Sequence, residues 1–232
     1  MLNLHDILKW VIPEPEECRR QAAELMLAAP GETPAQVAQR AVKTARGWAA
    51  AAGATTGLAA SPITMLPAAV ADMAAMLRIE GHMAGTIAAL LDPASLDDEA
   101  AFRRDVMRVV FPGAVSQALR RVGVRVGENA TKSLIEKYAS RALMKEIAEQ
   151  AAKRLGVRLT RKAVATKAVP LVGAGIGAAW NWLEIQAIGS RAIHYHAGLE
   201  EEPRVPLRRK VTSWVRAKAG KSESGGDVKL LP

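Results

Sequence analysis

Lys167-Ala-Val-Pro-Leu-Val-Gly-Ala-Gly-Ile-Gly-Ala-Ala-Trp-Asn-Trp-Leu183 decides how this chain is built. Pro170 suits a first helical position, because its fixed φ is already helical and its missing N–H has no partner to lose there. Gly173, Gly175 and Gly177 follow in a run with no other helix breaker. Small residues four apart leave a flat strip on one helix face, where two backbones can touch or a helix can lie against lipid. Each helical glycine costs about 0.5–1 kcal/mol relative to alanine, so close packing is expected to offset it. An earlier block, Gly53-Ala-Thr-Thr-Gly57 running on to Ala71-Asp72, has the same texture. The expected fold is all-α, a multi-helix domain with two Gly/Ala-rich helical hairpins packed together.

Composition agrees with that reading. Half of the 232 residues are hydrophobic but only 4% are aromatic, so the apolar content is mostly Ala, Val and Leu. Ala and Leu lose little on entering a helix, and long alternating runs of β-branched residues are absent. Helix starts and stops are readable along the chain. Pro13-Glu-Pro-Glu-Glu17 opens a first helix that Pro30-Gly31 stops. Thr33-Pro-Ala-Gln36 reads as a capping box. The helix after it meets Ser61-Pro62 and Pro67, which are expected to interrupt it. A further helix ends at Asp92-Pro93, another starts at Ser95-Leu-Asp-Asp98, and Pro112-Gly113 marks a break. Asn129 to Leu155 is strongly amphipathic, and Pro170 opens a helix through His196. The expected organisation is an N-terminal helix over 1–32, a helical domain over 33–200 and a basic, partly disordered segment over 201–232.

Residues 170–181, Pro-Leu-Val-Gly-Ala-Gly-Ile-Gly-Ala-Ala-Trp-Asn, with Arg191-Ala192 beyond, resemble the hallmark of the bacterial EcsC family. So does Gly53-Ala-Thr-Thr-Gly57 followed by Ala71-Asp72. The resemblance spans residues 35–200. It departs at Ile87-Ala-Ala-Leu-Leu-Asp92, where the family shows a Tyr-Gly pair. The resemblance implies an α-helical domain with membrane association, and it brings no enzymatic activity or cofactor with it.

Chemistry-bearing constellations are few. The single cysteine, Cys18, excludes an intramolecular disulfide and a cysteine zinc site and reads as a small buried hydrophobe. His194 and His196, two apart on a helix, point to different faces, and His82 adds no ligand spacing. No metal or cofactor is expected. Gly173-x-Gly175-x-Gly177 lacks the strand and third glycine position of a dinucleotide fingerprint. Asp72 lies among Ala68, Ala69, Val70, Ala71 and Met73, and a carboxylate on an apolar face requires a partner; the candidates are Arg78, Asn181 and a basic residue of the other hairpin. Asn181 and Glu184, three apart, share a helix face. Asp72, Asn181 and Glu184 form the candidate polar site. Trp180 and Trp182 read as core or interface anchors; Trp10, Trp48 and Trp214 suit an interface, being apolar with one polar N–H.

Net charge is +9. Arg204, Arg208, Arg209, Lys210, Arg216, Lys218 and Lys221 fall in one stretch with no acid between them, beside Trp214. Lipid headgroups need only such charge, at roughly 1 kcal/mol per cation near an anionic surface, whereas nucleic-acid readers add stacking aromatics or a groove-entering motif. Gly47 to Ala71 carries no charge, but alanine and glycine drive insertion weakly and two prolines intervene, so a buried or surface-inserting hairpin is expected rather than a span. The N-terminus shows neither the basic leader nor the cleavage site of a secretory signal. The expected function is a membrane-associated, non-enzymatic helical protein on the cytoplasmic, inner face of an anionic membrane. The alternative is an enzyme or small-molecule carrier with its site at Asp72, Asn181 and Glu184; a nucleic-acid binder is third.

Overall fold

The computed structural model describes residues 11–57, 62–121, 146, 149–151 and 170–199. Among these residues the protein is all-α, with no strand. Helices α1 (Pro15–Leu27), α2 (Pro34–Gly57) and α3 (Pro62–Leu91) are followed by a 3-10 turn, Pro93–Leu96. Then come α4 (Glu99–Val110), α5 (Pro112–Arg121) and α6 (Pro170–His196).

The starts follow from local chemistry. Thr33 and Gln36 form the expected capping box: the Thr33 N–H donates to Gln36 Oε1 at 2.8 Å, and the Gln36 N–H donates to Thr33 Oγ1 at 3.3 Å. Asp98 caps α4, accepting from the N–H groups of Ala100 at 2.8 Å and Ala101 at 3.2 Å. α6 starts at Pro170, as its sequence predicts. It stops where Gly198 takes φ +70°, so that the Leu199 N–H can return to the His194 carbonyl at 3.0 Å.

One expectation is corrected. Pro67 does not interrupt the chain; α3 runs through it from Pro62 to Leu91. Pro67 is the sixth residue of this 30-residue helix, where a proline loses one backbone hydrogen bond and crowds the carbonyl four residues back, at about 3 kcal/mol; the packing of the rest of the helix outweighs that cost. The second Gly/Ala-rich block is described only in part. From Pro170 on it is one continuous helix, and what precedes Pro170 lies outside the described residues. The predicted amphipathic helix over 129–155 lies outside them too, except for residues 146 and 149–151. Those are helical, with Gln150 Nε2 donating to Glu146 at 2.7 Å.

Three long helices make the centre. Val42 meets Gly189, Arg46 meets Gln186 and Ala49 meets Asn181, so α2 and α6 are antiparallel. Asp72 meets Asn181 and Asp92 lies beside His196, so α3 and α6 are parallel. α4 runs against α6, with Asp105 at Tyr195 and Val109 at Arg191. α1 covers α3: a Cβ on Gly85 would lie 2.5 Å from Cys18 Sγ and 3.1 Å from the Phe102 ring. Val37, Val42, Leu77, Ile87, Phe102, Met107 and Ile185 fill the interior.

Close backbone approach therefore occurs, at glycines that no sequence pattern singles out. A Cβ on Gly81 would fall 1.7 Å from the Val11 carbonyl oxygen, and one on Gly189 would fall 2.5 Å from Val42 Cγ2. Of the expected packing glycines, Gly53 is buried in α2. Gly57, Gly173, Gly175 and Gly177 are helical, and their surroundings lie outside what is described.

Candidate functional site

Asp72 and Asn181 come together, Asn181 being one of the three candidate partners that the sequence offers Asp72. Asp72 is 3% exposed and Asn181 2%. Asn181 Nδ2 donates to the Ala49 carbonyl at 3.1 Å and to Asp72 Oδ1 at 3.3 Å. One amide thus ties α6 to both α2 and α3 at one level of the bundle. A buried carboxylate needs such donors, and Asp72 has further interactions besides this one. Arg78, the other candidate partner on α3, is exposed. Glu184, one turn beyond Asn181, is half-buried and engaged.

Arg46 sits just beside this level. Its guanidinium hydrogen-bonds Gln186 Oε1 and lies over the Trp182 ring, 3.5 Å from the centroid. Desolvation lowers Arg46 from its ordinary value, yet a guanidinium keeps its charge in proteins. Cation–π contact at a partly wet site contributes about 0.5–1 kcal/mol. Trp180 and Trp182 are not core anchors: they are 49% and 38% exposed, and Trp48 is 68% exposed. The reason is register. Asn181 points into the bundle, so its two immediate neighbours on a helix of 3.6 residues per turn point away from that line. Trp48 flanks Ala49 in the same way.

A second polar cluster, which no sequence motif announces, lies at the other end of α6. Tyr195 Oη donates to Asp105 Oδ1 at 2.5 Å, and the Arg108 guanidinium lies over the Tyr195 ring at 4.6 Å from its centroid. Arg191 donates to the Val109 carbonyl. His196, buried, brings Nδ1 within 3.7 Å of Asp92 Oδ2 and meets Tyr195 edge-on. Glu80 is fully buried on α3 and engaged. The available signal was Asp105 and Arg108 beside and within the apolar run Val106 to Val110, which is the same kind of signal that pointed to Asp72. The Tyr195–Asp105, Arg108–Tyr195 and Arg191–Val109 contacts fasten α4 to α6, and the His196–Asp92 approach brings α6 to the end of α3.

Among the described residues, no group of three or more His, Cys, Asp or Glu side chains could hold a metal ion. Cys18 is buried, and burial first, then Glu17 and Glu14, push its thiol up to about 12. Such a thiol is not a nucleophile near neutral pH. No described helix is long and apolar enough to cross a membrane. The basic stretch from Arg204 to Lys221 lies outside the described residues. Comparison with protein-family models, with curated proteins and with solved structures gives no match.

Proposed function

We propose that this is a membrane-associated, non-enzymatic helical protein of the EcsC type, which binds an anionic membrane surface on its cytoplasmic side. The observation that carries the reading is the placement of charge. The seven cations from Arg204 to Lys221 have no acid among them and surround Trp214. Every charged residue of α2 is also basic: Arg40, Lys43 and Arg46. At roughly 1 kcal/mol per cation near an anionic leaflet, the C-terminal stretch alone supports stable but salt-sensitive adsorption. Against a catalytic or carrier site at Asp72, Asn181 and Glu184 stands the closure of that node. Its two innermost groups are buried and satisfied by one another and by the helix crossing.

The test is flotation of the purified protein with vesicles. It should float with phosphatidylglycerol-containing vesicles and poorly with pure phosphatidylcholine, and moderate salt should release part of it, because exposed charges are screened beyond about 8–10 Å. Neutralising Arg208, Arg209 and Lys210 to glutamine should weaken binding. Retention of duplex DNA with a steep salt dependence, and no vesicle binding, would replace this reading with the nucleic-acid one.

A further inference from the structure

We infer that the protein enters the membrane by one end of its three-helix centre, with Trp48, Trp180 and Trp182 at the lipid–water boundary. The inference rests on the membrane reading above and names the surface that would carry it. Asn181 touches both Ala49 and Asp72, so it marks a common level on α2, α3 and α6. Past that level α2 continues for eight residues, from Ala49 to Gly57. α3 begins ten residues earlier than Asp72, at Pro62, and α6 eleven residues earlier than Asn181, at Pro170. The antiparallel run of α2 against α6, and the parallel run of α3 with α6, send all three extensions in the same direction.

Those extensions carry no charge. The sequence from Gly47 to Ala71 has no Asp, Glu, Lys or Arg, and neither has Ala168 to Leu183. The helical parts of these two segments, far apart in the chain, thus lie at one end of the bundle. At 1.5 Å per residue each extension is about 12–16 Å long. A single leaflet offers about 15 Å of hydrocarbon, half of the ~30 Å core. The depth matches one leaflet, while no described helix is apolar and long enough to cross both.

The level itself has the character of an interface. Trp48, Trp180 and Trp182 are exposed there, and tryptophan belongs where an apolar ring meets water. Within about 9 Å on the watery side of them, cations outnumber the one acid, half-buried Glu184. Arg46 covers the Trp182 face, and Lys43 and Arg78 are exposed. Lys43 precedes Ala49 by six residues and Arg78 follows Asp72 by six, which puts both about 9 Å below the level. That is the order an anionic headgroup layer selects: cations, then indole rings, then uncharged helix. Asp72 and Asn181, the last polar side chains before the uncharged length to be seen paired, satisfy each other inside the bundle and so do not oppose entry.

The experiment uses the full chain and vesicles of phosphatidylcholine with phosphatidylglycerol. Trp10→Phe and Trp214→Phe together leave the three tryptophans of the level as the emitting rings. Their fluorescence should be quenched more by lipids brominated near the headgroup than by lipids brominated at the chain end. Thr56→Cys, carrying an environment-sensitive dye, should show the opposite order, and Cys18 is buried and stays unlabelled. The same dye on Ala94→Cys, beside the Asp92 end, should remain in water. Removing two exposed rings, Trp48→Ala with Trp180→Ala, should weaken vesicle affinity by about tenfold per ring, the scale set by the apolar area that leaves water. Vesicle binding without lipid quenching, and with the Thr56→Cys dye still in water, would overturn insertion and leave charge-driven adsorption standing. A wild-type protein that binds no anionic vesicle would overturn both readings.

Discussion

The two ends of α6 solve the same problem in opposite ways. Toward Pro170 the helix is small and uncharged, and its polar investment is one amide, Asn181, shared with Ala49 and Asp72. Toward His196 it is crowded with polar groups: Arg191, Tyr195 and His196 meet α4 and Asp92. Between them Gly189 lets Val42 of α2 approach to within 2.5 Å of where a Cβ would be. The comparison teaches that small residues have two uses in this fold. Some are required because a neighbouring group occupies the space. Others lie in stretches distinguished by what they lack, namely charge.

The sharpest break of that comparison is Gly81→Ala. The new Cβ would meet a backbone oxygen at 1.7 Å, which cannot rotate away, so a loss of about 3 kcal/mol is expected. Gly189→Ala meets a side chain instead and should cost less. Chemical denaturation of both variants would check the order; equal, small losses would mean that the backbone at Val11 simply lifts away from Gly81. Asp72→Ala should cost about 2–3 kcal/mol, because Asn181 loses an acceptor in the interior. Asp72→Asn, which keeps the shape, should cost less. Wild-type melting of Asp72→Ala would show that the node does not support the fold.

At the other end of α6, Tyr195→Phe deletes the hydroxyl that donates to Asp105. A destabilisation of about 1–2 kcal/mol is expected, and membrane binding should stay unchanged, since the substitution alters neither the cations of the C-terminal stretch nor the uncharged lengths. A vesicle-binding defect in that variant would show that the two ends are coupled. The smallest effect should carry the opposite sign. A Cβ on Gly47 would have nothing within 4 Å, so Gly47→Ala should stabilise α2 by about 0.5–1 kcal/mol. Loss of stability there would mean that α2 bends at Gly47.

Cys18 supplies a test by pH. Its folded thiol titrates near 12 against an ordinary 9.0, so the folded state holds its proton longer. The stabilisation that this represents is complete below about pH 9 and is lost as pH rises from 9 toward 12. Cys18→Ala should therefore flatten the alkaline fall in stability. In the native wild type the thiol should react with a maleimide only as fast as the protein opens.

Helix class and most helix boundaries were legible without a structure. The Thr33–Gln36 box, the Asp92-Pro93 stop and the Pro170 start act through residues within one turn of each other, and local hydrogen bonding decides them. The need for a partner at Asp72 was legible too, since an isolated carboxylate in an apolar run is costly anywhere. That Asn181, more than a hundred residues away, would be the partner was only one candidate among several; packing of α6 between α2 and α3 chose it. Pro67 misled, because its cost is local while the packing that outweighs it belongs to the whole helix from Pro62 to Leu91. The crowded glycines could not be told from the merely uncharged stretches, because crowding is a property of the neighbour: Val11 for Gly81, Cys18 for Gly85, Val42 for Gly189. The exposure of Trp180 and Trp182 follows from Asn181 taking the inward position between them. Sequence by itself determined the helices, the basic balance and the uncharged stretches. Tertiary structure alone decided that those stretches share one end, because only the antiparallel and parallel pairing of three helices turns separated segments into a common level.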